Sequence, residues 1–209
     1  MAIGANGAIK HWQFDASRFF DVSANYQKAL NHLADTIAIS TQANPLYFIH
    51  MGPPEFFYRV VEKVVQAGKT ESLNHVYIIS HSGYNDTHLR RGDPKYDKNP
   101  VADNQKHHTL QQAIALSGNR LKYKRIRDQN GEWDPNLLWN SKHNWQVWQW
   151  MKSHEDQTIG WIYERMKRHP DNVADCSDAG MLYYLFTGDE YGSPEKFKQF
   201  LGKGVMAKG

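Results

Sequence analysis

Leu46-Tyr47-Phe48-Ile49-His50-Met51, then Gly52-Pro53-Pro54, and farther on Val76-Tyr77-Ile78-Ile79-Ser80 are the segments that set the architecture. Each apolar run is short, rich in β-branched and aromatic residues, and bounded by turn or polar residues, which marks a buried strand. Between them Phe57, Val60, Val61, Val64 and Val65 recur at helical spacing. Pro53 and Pro54 suit a first helical turn, and Gly68 suits a helix stop. Strand, helix, strand within about 35 residues is the spacing of a right-handed βαβ unit with a parallel strand pair.

Working outward, residues 21–41 read as a helix, with Leu30, Leu33, Ala34, Ile37 and Ala38 on one side. Asn44-Pro45 ends it. After the second strand, residues 81–106 are polar and rich in Gly, Asp, Asn and Pro, a length of connection usually tied to function or disorder. A short helix over 109–116, a third strand over 121–126 and an Asn130-Gly131 turn follow. Further helices are expected over 145–151, over 158–168 with Trp161, Ile162, Arg165 and Met166 on one side, over Ala179–Thr187, and over 194–201. A further strand is sought over 8–14. The fold expected is α/β, a Rossmann-like, mostly parallel sheet flanked by helices, as a single domain over 1–209 with a frayed tail at 202–209.

Length and composition fit that picture. The 209 residues can bury a sizeable core, and 40% hydrophobic with 22% charged is globular usage. A formal charge of +3 carries no dense basic tract beyond residues 122–127, so a nucleic-acid partner is not expected. No apolar run reaches the roughly 18–20 residues that span a bilayer, so no membrane partner is expected either. The single cysteine, Cys176, excludes an intrachain disulfide and favours a cytoplasmic setting. Residues 1–10 lack a charged start followed by an apolar stretch, and export through a signal outside this sequence is left open. A homo-oligomer is also left open.

The chemistry gathers in two places. In open α/β sheets ligands bind beyond the carboxyl ends of the strands. There Ser80-His81-Ser82-Gly83-Tyr84-Asn85-Asp86-Thr87-His88 offers two imidazoles, a carboxylate, a carboxamide and several hydroxyls, a set able to orient a polyhydroxylated ligand. The second place is Asp175-Cys176-Ser177-Asp178-Ala179-Gly180, where Asp175 or Ser177 caps a helix and Asp178 lies in its first turn. Seven Trp and eleven Tyr supply flat faces that pack cores or stack on sugar rings. No Walker loop, GxGxxG, GxSxG or HExxH occurs, which disfavours nucleotide, α/β-hydrolase and zincin readings.

Asn44-Pro45-Leu46-Tyr47-Phe48-Ile49-His50-Met51-Gly52-Pro53, then residues 76–81 leading into Tyr84-Asn85-Asp86, then residues 175–185 with Thr187-Gly188-Asp189-Glu190, resemble the later half of the nucleoside-hydrolase-like superfamily. The likeness is nearest to its sugar-hydrolase branch associated with plant and marine carbohydrates, and it covers residues 45–200. It implies a glycosidase acting on a sugar or ribonucleoside-type bond, with calcium as cofactor and a carbohydrate or nucleoside as ligand. It implies that Asp178 is a metal ligand and that Asp178 and Asp86 are catalytic. His81, Asn85, His88 and Trp148 would bind substrate. Two positions depart from the family pattern. Ser177 stands where typical members carry His before the aspartate, and residues 1–40 lack the aspartate cluster that supplies most metal ligands. A non-catalytic carbohydrate-binding or assembly domain derived from such an enzyme is the alternative.

Overall fold

Short strand pairs and amphipathic helices alternate along the chain in the computed structural model, which describes residues 2–3, 20–95, 97, 99–130, 140–141, 145–167 and 174–202. In chain order the elements begin with β1 (Ala2–Ile3), β2 (Phe20–Asp21), α1 (Val22–Ala38), β3 (Leu46–Ile49) and α2 (Glu55–Gln66). Next come β4 (Val76–Ser80), α3 (Gly83–Thr87), α4 (Leu110–Leu116) and β5 (Lys122–Arg125). The series closes with β6 (Asn140–Ser141), α5 (Gln157–Met166), β7 (Ala174–Asp175), α6 (Ala179–Thr187) and α7 (Pro194–Gly202). Two compact units divide them: Ala24–Ile126, and Met1–Ser23 together with Arg127–Gly209.

The first of these units is the expected parallel sheet, in the order β3-β4-β5. Leu46 pairs with Val76, and Ile78 with both Phe48 and Tyr123. Because side chains alternate, one face presents Leu46, Phe48, Val76, Ile78 and Tyr123 to Leu30, Ala34, Ile37, Phe57, Val60, Val61, Val64, Leu110 and Ala113 of α1, α2 and α4. Strands adjacent in sequence and in the sheet, joined by right-handed crossovers, put their connecting helices on one side. The packing of α2 on α4 agrees with that. On the opposite face Tyr47 stacks on Tyr77 (5.3 Å, 27°), and the Lys122 ammonium donates to the Tyr77 hydroxyl at 2.8 Å.

Local chemistry accounts for the boundaries. The α2 stripe Phe57, Val60, Val61, Val64 follows the 3.6-residue repeat, and Gly68 takes a left-handed φ of +68° that ends it. Thr109 and Gln112 form a capping box at α4: the Thr109 amide donates to Gln112 Oε1 (2.8 Å), and the Gln112 amide to Thr109 Oγ1 (3.3 Å). Ser82 Oγ accepts from the Asn85 amide, so the polar stretch after β4 begins as a helical turn.

The second unit has an aromatic core of Trp148, Met151, Ile159, Tyr163 and Tyr183, with Cys176 packed against it. Residues Trp145–Ser153 form a 3₁₀ helix. Trp148 and Met151, three apart, fall on one line of a three-residue turn, and both are buried. In α5 the stripe read from the sequence is split, with Met166 packed against the core and its other apolar members outside. Ile159 and Tyr163 face the core, while Trp161 and Ile162 are exposed, with the Arg165 guanidinium 4.8 Å from the Trp161 ring centre. An i, i+4 pair was enough to seat the helix, and the adjacent apolar pair shares the outer side. Antiparallel β6 and β7 were not foreseen, and neither was the parallel pair β1–β2. The strand sought over 8–14 lies outside the described residues, as does the tail beyond 202. No helix among the described residues is long and apolar enough to cross a membrane.

Candidate functional site

The sheet's last rows turn from apolar to polar. His50, Ser80 and Arg125 follow Phe48, Ile78 and Tyr123 on the same face, one period further toward the carboxyl ends. The α3 turn lowers Asp86 onto this row. Asp86 Oδ1 accepts from Ser80 Oγ at 2.7 Å, and Oδ2 accepts from the Tyr123 hydroxyl at 2.5 Å. His50 Nε2 lies 3.9 Å from Asp86 Oδ1 and 3.2 Å from the Asn85 carbonyl. Burial, together with donation to Asp86, pushes the Tyr123 phenol far above its ordinary value, so it stays a donor. Gly83, at the start of α3, admits the Arg125 guanidinium so closely that a Cβ there would meet Nη2 at 2.6 Å.

Four of the expected site residues meet here, in different states of access. Asp86 and His81 are buried; Asn85 and His88 are half-buried. The His88 imidazole stacks on Tyr84 (4.6 Å, 21°), and Tyr84 is 51% exposed. Sequence reading left His50 at the exit of the first strand without a role and passed over Tyr123, which sits inside a strand pattern. Register alone reveals them.

A second carboxylate–imidazole pair lies at the same end of the sheet, at the starts of α2 and α4. Glu55 Oε2 accepts from the His108 backbone amide (2.6 Å) and from His108 Nδ1 (2.9 Å), while Oε1 accepts from Arg59 Nε (2.8 Å). The imidazole lies flat on Tyr58, 3.6 Å between centres at 4°. Burial pushes the Glu55 carboxyl up, but the His108 and Arg59 donors outweigh it, and the group ends below its ordinary value. The pair spans 53 residues, and only a His immediately before a capping Thr hinted at it.

In the other unit Asp178 is half-buried and stands at the N-cap of α6. The cap position thus falls on Asp178 rather than on Asp175 or Ser177, and the Asp178 side chain makes no capping hydrogen bond, since its own backbone is already helical. Buried Gln129 braces this segment. Its amide donates to the Arg127 carbonyl (2.7 Å) and the Glu190 carbonyl (3.0 Å), and a Cβ on Gly180 would meet Oε1 at 2.3 Å. Trp148, expected as a sugar platform, is 1% exposed with its ring inside the aromatic core. Asp86 and Asp178 belong to different units. Among the described residues no group of three or more His, Cys, Asp or Glu is gathered so as to hold a metal ion.

Comparison with known proteins adds one relative. Uncharacterized protein P22 of Formosa agariphila is 26% identical over 197 residues, covering 90% of this chain and 61% of the relative. The chain thus spans about three-fifths of that protein's length. No family model and no solved structure matches.

Proposed function

We propose that this chain is a glycoside hydrolase-like protein acting on a sugar or ribonucleoside-type glycosidic bond at the carboxyl ends of its parallel strands, within a Rossmann-like sheet. One observation carries the reading: a buried Asp86 network and the open, stacked Tyr84–His88 pair adjoin on one short turn at that end. Exposed aromatic faces hold sugar rings, and half-buried Asn85 and His88 offer polar partners for hydroxyls. Asp178, in the other unit, is a separate catalytic candidate of the proposal. Calcium takes six to eight oxygens. Both Asp86 oxygens already accept hydrogen bonds from neutral hydroxyls, so Asp86 does not fit a calcium ligand, and no step is derived through the ion.

Release of nitrophenol from a panel of nitrophenyl glycosides, and of base from ribonucleosides, tests the proposal. Asp86→Asn and Asp178→Asn should each lower turnover by about 100-fold or more. Full turnover in both variants would remove these residues from the chemistry.

The saturated state of Asp86 favours a second reading, a non-catalytic carbohydrate-binding or assembly domain. It is distinguished by saccharide binding in calorimetry without any bond cleavage.

A further inference from the structure

His108 has one ring nitrogen anchored on a carboxylate and the other open. Nδ1 is held by Glu55, the ring plane is set by Tyr58, and among the described residues no group hydrogen-bonds Nε2. Its side chain is 23% exposed. A carboxylate accepting from Nδ1 fixes the tautomer and leaves Nε2 as the site of proton exchange. On α2 the charged groups beside the pair are Glu55 itself and Arg59, which lies between Glu55 (2.8 Å) and Glu62 (3.1 Å). His50, by contrast, is 2% exposed, and its Nε2 is already directed at a carbonyl, so it has no access to a ligand.

Position agrees with chemistry. Crossover helices run back against the strands, so their first residues lie at the strands' carboxyl ends. Glu55 opens α2, and His108 stands two residues before α4. Both therefore share the end of the sheet that carries Ser80 and the Tyr84–His88 pair.

We infer that His108, oriented by Glu55, is the catalytic acid for the leaving group; the inference rests on the hydrolase reading above. The imidazolium gives its Nε2 proton to the leaving oxygen as the bond from that oxygen to the anomeric carbon breaks, and the bonding pair stays on oxygen. Water adds to the anomeric carbon and loses a proton to solvent, from which the imidazole is reprotonated. Glu55 stays ionised throughout.

Leaving-group dependence tests the role. A 4-nitrophenolate departs without protonation, whereas the alkoxide of a methyl glycoside does not. His108→Gln should lose about 100-fold or more on the methyl glycoside yet stay within a few-fold of the parent on the 4-nitrophenyl glycoside of the same sugar. Glu55→Gln should show the same selectivity more weakly. Should the Gln variant fail to fold, carbethoxylation of the parent by diethyl pyrocarbonate, mapped to His108 by mass spectrometry, should bring the same selective loss. Equal loss on both substrates, or none, overturns the acid assignment and leaves the hydrolase reading standing. A parent protein that cleaves no glycoside or ribonucleoside overturns both.

Discussion

Two carboxylate–imidazole pairs sit at one end of the same sheet, and they are built to opposite ends. Asp86 and His50 are sealed: each Asp86 oxygen has a hydroxyl donor, and the imidazole is turned to a backbone carbonyl. Glu55 and His108 are braced by Arg59 and Tyr58 yet leave one ring nitrogen toward solvent. The first pair closes the polar top of an apolar core, where an unsatisfied group would be costly. The second is rigid and still accessible, which proton transfer to a ligand requires. Residue type does not separate the two; burial and the direction of the free lone pair do.

The comparison breaks most visibly at Asp86. Asp86→Ala removes the acceptor of the buried Ser80 hydroxyl and of the half-buried Tyr123 hydroxyl, and a total loss of about 1–3 kcal/mol in urea unfolding is expected. If the loss is no larger than for Glu55→Ala, the sealed pair is not structural. Tyr123→Phe removes one of those donors, and about 0.5–1.5 kcal/mol in the same measurement is expected.

Glu55 gives a pH-dependent effect. Its folded-state value lies below its ordinary 4.5, so its contribution is present above that pH and is lost as pH falls through the folded value. Glu55→Gln should therefore be less stable than the parent at neutral pH and equal to it once carboxylates are protonated. A stability gap that persists in strong acid would contradict the Glu55–His108 geometry. The smallest stability effect belongs to Tyr84→Ala, within about 0.5 kcal/mol because the ring is exposed. Saccharide affinity should nonetheless fall in calorimetry, and unchanged affinity would exclude Tyr84 as a platform.

Much of the framework is readable from residues alone. The strand Val76–Ser80 and the helix Ala179–Thr187 have the boundaries their composition implies, and the parallel pairing follows from one strand–helix–strand spacing. The buried face of α5 was not assigned from sequence because Ile159, Trp161, Ile162, Tyr163 and Met166 offer more than one apolar stripe, and only packing chooses between them. Trp148 was read as a platform on residue type, whereas a 3₁₀ turn aligns it with Met151 inside the core.

What the sequence determined by itself is local: hydrophobic period, turn chemistry, caps, and a polar cluster placed after a strand. Those signals act over a few residues, where covalent geometry links cause to effect. Tertiary structure alone decided which groups met across long separations, Asp86 with Tyr123 and Glu55 with His108, and how much water each kept. Pairings of that kind depend on register and helix docking, which no short stretch of residues encodes.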